Sequence, residues 1–429
     1  KKCSMYWPVD GEEKFGEISV RLLTTHVFAE YTIRNLRLSK SGEPYRTVTQ
    51  FHFTAWPDKS VPESPWGLVD LQQRVMADPG SGPILVHCSA GVGRTGTFIG
   101  MCNLLQEAEA TGKMDFRSTL WKLRQDRMHT VQTEEQYVFL HQAALVGHMV
   151  AGTTVNLKDL RYRFCSLESE KEGNKSTRSY KQEFEALVEV CDATTSKVSE
   201  PPEEERESCT YQNMKDLNTL GKNRLGNILP NPSYRPDLIA DNIHKNTYIN
   251  AVFVPTIGEF LPKSVTEPFE NDSFIIESKS AEENGPVTEI SLTVQQKHVP
   301  GLDSSSNQTK KALTLLLCKS SPMDPPCVLE LQEKIQARRP VNTSRTIYMC
   351  RNGADKSGLM CIQSILLDRM KLDQCLTVPL MVGKVKAIRP QVIPTVGQYK
   401  CLYRVLKLAY ESQNVYTNVE ERQGSSSMT

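Results

Sequence analysis

An internal repeat constrains this sequence more than any other feature. Two copies of a glycine-containing loop are each followed by a helical pattern, LVHCSAGVGRTGTF (Leu85–Phe98) in the first and YMCRNGADKSGLM (Tyr348–Met360) in the second. Agreement at one long spacing indicates a tandem pair of homologous domains, since solenoid repeats have much shorter periods. The pairs that share this spacing are Cys88 and Cys350, Arg127 and Arg389, and Gln136-Tyr137 and Gln398-Tyr399.

Both copies have the local pattern of an α/β (α+β) fold. A short apolar run precedes each loop, GPILV (Gly82–Val86) in the first and RTIYM (Arg345–Met349) in the second, and each run is predicted to be a buried strand. Apolar residues at helical spacing follow each loop, and Gly112 is predicted to end the first helix. A strand, a glycine loop and a helix in succession place a candidate site at the helix N-terminus.

Composition narrows the classes of function. The chain has 51 Lys and Arg against 50 Asp and Glu, which disfavours a large nucleic-acid-binding surface. Its longest apolar runs, such as ALTLLLC (Ala312–Cys318), are too short to span a bilayer. The 12 cysteines form no CxxC pair and no zinc-type cluster, which predicts reduced, cytosolic thiols and no metal site.

The first loop has the residues that a phosphate site needs. Its glycines permit the tight backbone conformation of an anion-binding turn at the positive end of a helix. Arg94 is suited to bidentate binding of two phosphate oxygens. The backbone N–H groups predicted to line this anion cradle belong to Ser89, Ala90, Gly91, Val92, Gly93 and Arg94.

Cys88 is the candidate nucleophile. The same positive field would lower the pKa of its thiol and make it a thiolate at neutral pH. We expect His87 to help hold the loop and the Thr95 hydroxyl to hydrogen-bond the sulfur. The plainer interpretation, a buried cysteine beside an ordinary turn, does not account for two glycines, a basic residue and a hydroxyl at these spacings.

Two further segments supply the remaining chemistry. A thiolate that attacks phosphorus must expel an alkoxide or phenoxide, so a proton donor is needed, and Asp58 in the proline-rich FTAWPDKSVPESP (Phe53–Pro65) is the candidate. Gln132 and Gln136 in QTEEQ carry amides suited to positioning the water that hydrolyses a phosphocysteine. Taken alone, these residues would be a turn aspartate and two surface amides.

Together, HCSAGVGRTG, WPD and QTEEQ resemble the phosphate-binding, acid and glutamine loops of the protein tyrosine phosphatases. In KKCSMYWP, which resembles the stretch before the acid loop, Lys2 would contact the acid-loop aspartate. The resemblance implies two tandem domains, each a highly twisted mixed sheet flanked by helices. It divides the chain into the C-terminal part of a catalytic domain (1–152), a degenerate second domain (153–412) with an acidic loop near 199–207, and a disordered tail (413–429).

The tandem arrangement is similar to that of receptor-type members, and GTTVNLKDL, EFEAL and CRNG are most similar to the leukocyte common antigen type. The resemblance implies phosphotyrosine proteins as substrates, with Src-family kinases among the candidates, and no cofactor. It implies a place on the cytoplasmic side of the plasma membrane, with the membrane span upstream of this chain. We expect the first half of the active domain, including its phosphotyrosine-recognition loop, to be missing. Tyr416 in VYTN is a candidate adaptor-docking site when phosphorylated.

The second loop keeps Cys350 but differs from the first loop at other positions that the reaction requires. Asp355 puts a negative charge inside an anion cradle, and Lys356 lacks the bidentate fork of an arginine. Pro394 stands at the position of Gln132, and the segment aligned with the acid loop, LLLCKSSPMDPP, contains no Trp-Pro-Asp. We therefore expect the second domain to be non-catalytic and to regulate, stabilise or dock for the first.

Two other functions stay open on the sequence. A truncated first domain beside a degenerate second one is also what a non-catalytic scaffold that binds phosphoproteins would show. A dual-specificity or lipid phosphatase uses the same Cys-x5-Arg chemistry, although the Trp-Pro-Asp and QTEEQ segments favour phosphotyrosine.

Overall fold

The structure is a computed structural model of the 429-residue chain. Three sequence predictions, for Lys2, Asp58 and the acidic loop near 199–207, fall outside the residues that it describes. The described residues are 5–57, 60–78, 80, 82–168, 179–195, 268–270, 274–297, 310–318, 321–338, 346–350, 352–373 and 375–426.

The chain divides into two compact units, residues 1–152 with 186–200 and residues 153–185 with 201–429. Each unit contains a four-stranded antiparallel sheet whose strands follow sequence order. These strands are rich in Val, Ile, Thr and aromatic residues, which suit a pleated, half-buried surface. The strands are β1 (Glu12–Phe15), β2 (Ile18–Val27), β3 (Tyr31–Lys40), β4 (Arg46–Phe53), β5 (Val155–Asn156), β6 (Phe269–Glu270), β7 (Phe274–Asn284), β8 (Val287–Gln296), β9 (Lys310–Cys318) and β10 (Cys375–Leu376).

Helix ends follow local sequence signals. The side chains of Asp115 and Thr133 cap two helices by accepting hydrogen bonds from backbone N–H groups in the first turn. Gly112 ends another helix in the left-handed conformation, as the sequence predicts. The helices are α1 (Trp66–Ala77), α2 (Gly93–Thr111), α3 (Phe116–Asp126), α4 (Glu134–Val150), α5 (Leu160–Glu168), α6 (Tyr180–Thr195), α7 (Pro325–Ala337), α8 (Asp355–Leu372), α9 (Val378–Ile388) and α10 (Val396–Ser426).

The core of the first unit lies between α2 and α4. Leu105 of α2 lies against Gly147, so closely that a methyl group at this glycine would approach it to 2.8 Å. Burial of one such apolar side chain contributes about 1.5–3 kcal/mol. This packing fixes the N-terminus of α2, where the first loop ends. Side chains with at most 1% exposure here include Met101, Leu104, Phe139, Leu140 and Ala143.

A buried carboxylate organises helices of the second unit. Glu183 on α6 is fully buried and forms an ion pair of 2.5 Å with Arg163 on α5. It also accepts hydrogen bonds from the hydroxyl groups of Tyr399, at 2.6 Å, and Tyr403, both on α10. A buried charge is tolerated when it is paired and hydrogen-bonded in this way.

The irregular positions of the backbone recur in the two units. The second strand of each four-stranded sheet shifts register through a bulge, β2 at Leu22/Thr24 and β7 at Ser278/Ser280. Left-handed residues recur at the same sequence spacing as the loop cysteines, which agrees with the repeat. These left-handed pairs are Gly91 and Gly353, and Val131 and Ile393.

The mixed helix and sheet content confirms the α/β class, but the strands expected before the loops are wrong. Residues 82–86 and 346–349 are irregular in the structure. The side chains of Leu85 and Ile347 are 89% and 77% exposed. An apolar run becomes a buried strand only where neighbouring strands bond it and other layers cover it, and the described sheets place no strand beside these segments.

All strand pairs among the described residues are antiparallel. One further expectation differs from the structure. The tail 413–429 was expected to be disordered, but α10 continues to Ser426. The sequence ESQNVYTNVEERQ in that part of α10 contains no proline and several good helix formers, which allows the helix to continue.

Candidate active site

The first loop places Cys88 at the N-terminus of α2. The backbone N–H of Gly91 donates to Cys88 Sγ at 3.2 Å. Gly91 has φ +69°, in the left-handed region that favours glycine, so the loop turns back over the sulfur. The predicted cradle residues 89–94 therefore surround a half-buried thiol at the positive end of a helix.

Polar groups around the sulfur lower the pKa of Cys88. Partial burial alone would raise the pKa of the thiol. The hydroxyl of Thr95 and the backbone N–H groups of Thr95, Gly91 and Val92 outweigh this, so the pKa of Cys88 lies below its ordinary value. A lowered pKa increases the thiolate fraction at neutral pH, which is the nucleophilic form.

Arg127 supports the first loop through a hydrogen bond to its backbone. Arg127 Nη2 donates to the carbonyl oxygen of Ala90 at 2.9 Å, and the backbone N–H of Val131 donates to the carbonyl oxygen of Val92 at 3.0 Å. Arg124 in turn holds the carbonyl oxygen of Val131 at 2.9 Å. Sequence reasoning gave Arg127 no role, although its recurrence as Arg389 was a signal that it had one.

Close approach of the backbone requires glycine at position 96. A methyl group on Gly96 would lie 2.4 Å from Thr130 Cγ2 and 2.8 Å from the backbone nitrogen of Val131. Val131 itself has φ 56°, which is unusual for a β-branched residue. Strained backbone of this kind often occurs beside functional sites.

His87 connects the loop to an aromatic cluster. Its Nδ1 donates to the carbonyl oxygen of Cys88 at 3.3 Å, and its Nε2 accepts from the Tyr6 hydroxyl at 2.6 Å. The cluster continues from Tyr6 through Trp7 to His52. Burial lowers the pKa of His52, and the nearby positive charge of Arg34 lowers it further. The structure thus places His87 as a support of the loop.

Arg94 connects the loop to the predicted acid segment. Its Nη2 donates to the carbonyl oxygen of Pro57 at 3.0 Å. Trp56 holds the same segment by donating from Nε1 to the carbonyl oxygen of Ser60 at 2.8 Å. A guanidinium has five N–H donors in a fixed fork, a geometry that suits bidentate contact with an anion. Asp58 lies outside the described residues.

The two glutamines lie at the mouth of the loop, against Gly93. A methyl group on Gly93 would lie 2.9 Å from Gln136 Nε2 and 3.4 Å from Gln132 Oε1. Gln136 is buried, and its Oε1 accepts from the backbone N–H of Gln132 at 2.9 Å. Gln132 is exposed and can contact water at the site. The structure therefore places both glutamines against Gly93, which lies between Cys88 and Thr95 in the chain.

The second loop has a similar backbone, but the side chain of Asn352 binds two of its N–H groups. The backbone N–H of Gly353 donates to Cys350 Sγ at 3.2 Å, and the thiol also lies 3.2 Å from the Ser357 hydroxyl. The side-chain Oδ1 of Asn352 accepts from the backbone N–H groups of Ala354 and Asp355, each at 3.1 Å. An oxygen of the protein itself thus takes two N–H groups that an anion would need.

Two further side chains hydrogen-bond groups of the second loop. Gln398 Nε2 donates to the Asp355 carboxylate, at the position where Gln136 borders Gly93 in the first unit. Arg389 Nη1 donates to the carbonyl oxygen of Gly353 at 3.0 Å, which gives it the same bracing role as Arg127. Lys356 is exposed. The second loop keeps its bracing while its anion-binding groups serve the protein itself.

Comparison with known proteins assigns both units to one family model. Residues 1–146 and 255–407 match the model described as protein-tyrosine phosphatase. These two segments contain the first and second loops. Among the described helices, none combines the length and apolar character needed to cross a membrane.

The curated relatives cover nearly the whole chain at modest identity. Receptor-type tyrosine-protein phosphatase U of Gallus gallus is 27% identical over 94% of this chain and 31% of its own length. Receptor-type tyrosine-protein phosphatase alpha of Homo sapiens is 27% identical over 97% of this chain and 56% of its own length. Receptor-type tyrosine-protein phosphatase C of Homo sapiens is 26% identical over 96% of this chain and 36% of its own length. The chain thus spans about a third to just over half of the length of these relatives.

Proposed function

The chain belongs to the protein-tyrosine phosphatase family, and from this premise we propose that its first unit hydrolyses phosphotyrosine on proteins through a phosphocysteine intermediate. The observation that supports this most is the hydrogen bonding of Cys88 Sγ, which lowers the pKa of the thiol at the N-terminus of α2. A thiolate beside a ring of backbone N–H groups can attack a phosphorus atom while the same groups bind its oxygens.

In the first step Cys88 Sγ forms a bond to phosphorus as the bond from phosphorus to the tyrosyl oxygen breaks. Asp58 gives a proton to the leaving oxygen. The N–H groups of residues 89–94 and the Arg94 guanidinium hold the three phosphoryl oxygens. Removal of one such donor in other enzymes lowers kcat by about 100- to 1,000-fold.

In the second step water attacks phosphorus and the sulfur–phosphorus bond breaks, which restores the Cys88 thiolate and releases phosphate. Asp58 accepts the proton from this water. Gln132 and Gln136 orient the water, a role supported by the contact of their amides with Gly93 of the loop. Lys2 positions Asp58 in this scheme.

The second unit is non-catalytic and regulates, stabilises or docks for the first. Asn352 occupies N–H groups of its loop, and Asp355 brings a negative charge to the same place. Cys350 therefore has a thiol in a similar turn without a comparable place for a phosphoryl group. This arrangement also supports a role in contacts between proteins rather than in turnover.

The setting that fits these features is receptor signalling on the cytoplasmic side of the plasma membrane. The relatives with this organisation are named receptor-type phosphatases. Src-family kinases are candidate substrates, and phosphorylated Tyr416 is a candidate adaptor-docking site.

The class of substrate is tested with matched phosphopeptides that differ only in the phosphorylated residue. Faster release of phosphate from phosphotyrosyl than from phosphoseryl peptides supports the proposal. Equal rates would support a dual-specificity enzyme instead, and binding of either peptide without phosphate release would support a scaffold.

A further inference from the structure

Two cysteines of the second unit lie with their sulfurs in contact. Cys318 is the last residue of β9, and Cys327 is in the first turn of α7. Their Sγ atoms are 3.0 Å apart, and both residues are thiols in this structure. Because a disulfide bond is about 2 Å long, the sulfurs need to approach by only about 1 Å to bond.

The two thiols differ in access to solvent. Cys318 is exposed, whereas Cys327 is 2% exposed. An oxidant in solution therefore reaches Cys318 first, and Cys327 is already placed behind it as a second sulfur. This arrangement of an accessible cysteine beside a resolving cysteine is typical of redox-sensitive pairs.

We propose that Cys318 and Cys327 form a reversible disulfide when a hydroperoxide oxidises Cys318. The Cys318 sulfur attacks one oxygen of hydrogen peroxide, the O–O bond breaks, and the products are a sulfenic acid and water. The Cys327 sulfur then attacks the sulfenic sulfur, the S–O bond breaks, and a second water leaves. The two thiols together lose two electrons and two protons, and peroxide is reduced to two waters.

The disulfide links Cys318 to Cys327 and so forms a covalent loop that includes part of the segment aligned with the acid loop of the first unit. The bond joins the end of a sheet strand to the start of a helix, so oxidation ties these two elements together. The redox device does not depend on phosphatase activity, because neither cysteine belongs to a phosphate-binding loop. Disulfides in reducing compartments are usually transient and redox-sensing, which agrees with the absence of a disulfide framework in the sequence.

The tryptic map of the chain makes the pair directly measurable. Lys319 separates the two cysteines, so trypsin releases Cys318 in the peptide 312–319 and Cys327 in the peptide 320–334. The full chain is treated with hydrogen peroxide, its remaining thiols are alkylated, and the digest is analysed without reduction. We expect the two peptides to be joined, with a mass two hydrogens below their sum, and to separate after reduction with dithiothreitol.

Variants define the specificity of the pair. Cys318→Ser and Cys327→Ser each remove the joined peptide, while Cys165→Ser, which alters an exposed cysteine of α5, leaves it unchanged. Cys88 is an internal measure of oxidant dose. The proposal is overturned if Cys318 is recovered alkylated at a dose that oxidises Cys88, if it stops at sulfinic acid, or if it pairs with another cysteine.

Discussion

Asn352 Oδ1 accepts a hydrogen bond from the backbone N–H of Asp355 at 3.1 Å, in the same turn that holds Cys350. The corresponding position in the first unit is Ala90, whose methyl side chain cannot accept a hydrogen bond. At this position the second loop therefore has a side-chain acceptor for two of its own backbone N–H groups, and the first loop has none. The glycine hydrogen bonds to the two cysteines do not reveal this difference, because each sulfur accepts from the N–H of an equivalent glycine.

This relationship predicts that Ala90→Asn impairs the first loop. The new side-chain oxygen should take the N–H groups that bind the phosphoryl oxygens, and loss of one charge-assisted hydrogen bond of about 1.5–3 kcal/mol lowers kcat/KM by at least about tenfold. Phosphate release from a phosphotyrosyl peptide measures the effect. Ala90→Leu is the control, because leucine is close in size to asparagine but offers no oxygen. An equal loss in both variants would mean that bulk, and not the oxygen, is responsible.

Thr95→Val should raise the pKa of Cys88, because it removes a hydroxyl that stabilises the thiolate. The pH profile of Cys88 alkylation by iodoacetamide then moves to higher pH, and the rate at neutral pH falls. Cys102 is the internal control, since burial raises the pKa of its thiol to about 12 and should leave it unreactive near pH 7. An unchanged profile for Cys88 would remove Thr95 from the account of its acidity.

Gly96→Ala should destabilise the first unit without altering any residue assigned to the reaction. The added methyl group meets Thr130 and the backbone of Val131, which hold the loop from behind. We expect a loss of about 1–3 kcal/mol in the free energy of unfolding of the first unit, as for other overpacked positions. Gly82→Ala is the control, since nothing lies within 4 Å of its added methyl group. Equal stability of the two variants in urea unfolding would contradict the close packing described for α2.

Local features of the site were predictable from sequence, and distant contacts were not. Cys88, Gly91 and Thr95 lie within one turn and its helix, so their spacing was sufficient to predict their contacts. The bond from Arg127 to Ala90 joins residues 37 positions apart, and the bond from Tyr6 to His87 joins residues 81 apart. Such pairs are brought together by tertiary packing, which a single sequence does not show.

Other differences have local causes. Asn352 was missed, although an asparagine just before a helix is a known signal for a side chain that bonds backbone N–H groups. The runs at 82–86 and 345–349 have the composition of strands, but a strand also requires neighbours. Composition alone cannot supply that information.

Glu183→Ala should destabilise the second unit strongly. It leaves Arg163 buried without its carboxylate partner and removes the acceptor for the Tyr399 and Tyr403 hydroxyls. Breaking one partner of a buried ion pair costs about 3–5 kcal/mol. Amide hydrogen exchange in α10, measured by mass spectrometry, reports the change.

The control for that variant is Lys181→Ala on the same helix. Lys181 pairs with Glu185 at 3.8 Å, and their side chains are 74% and 60% exposed. Exposed pairs contribute about 0–1 kcal/mol, so exchange in α10 should change little. Equal exchange in the two variants would mean that the Glu183 cluster does not hold α10.

The most direct test of the central claim is phosphate release from a phosphotyrosyl peptide by the full chain and its Cys88→Ser and Cys350→Ser variants. We expect hydrolysis by the unaltered chain, loss of hydrolysis in Cys88→Ser, and nearly unchanged hydrolysis in Cys350→Ser. Retained hydrolysis in Cys88→Ser, or a large loss in Cys350→Ser, would contradict it.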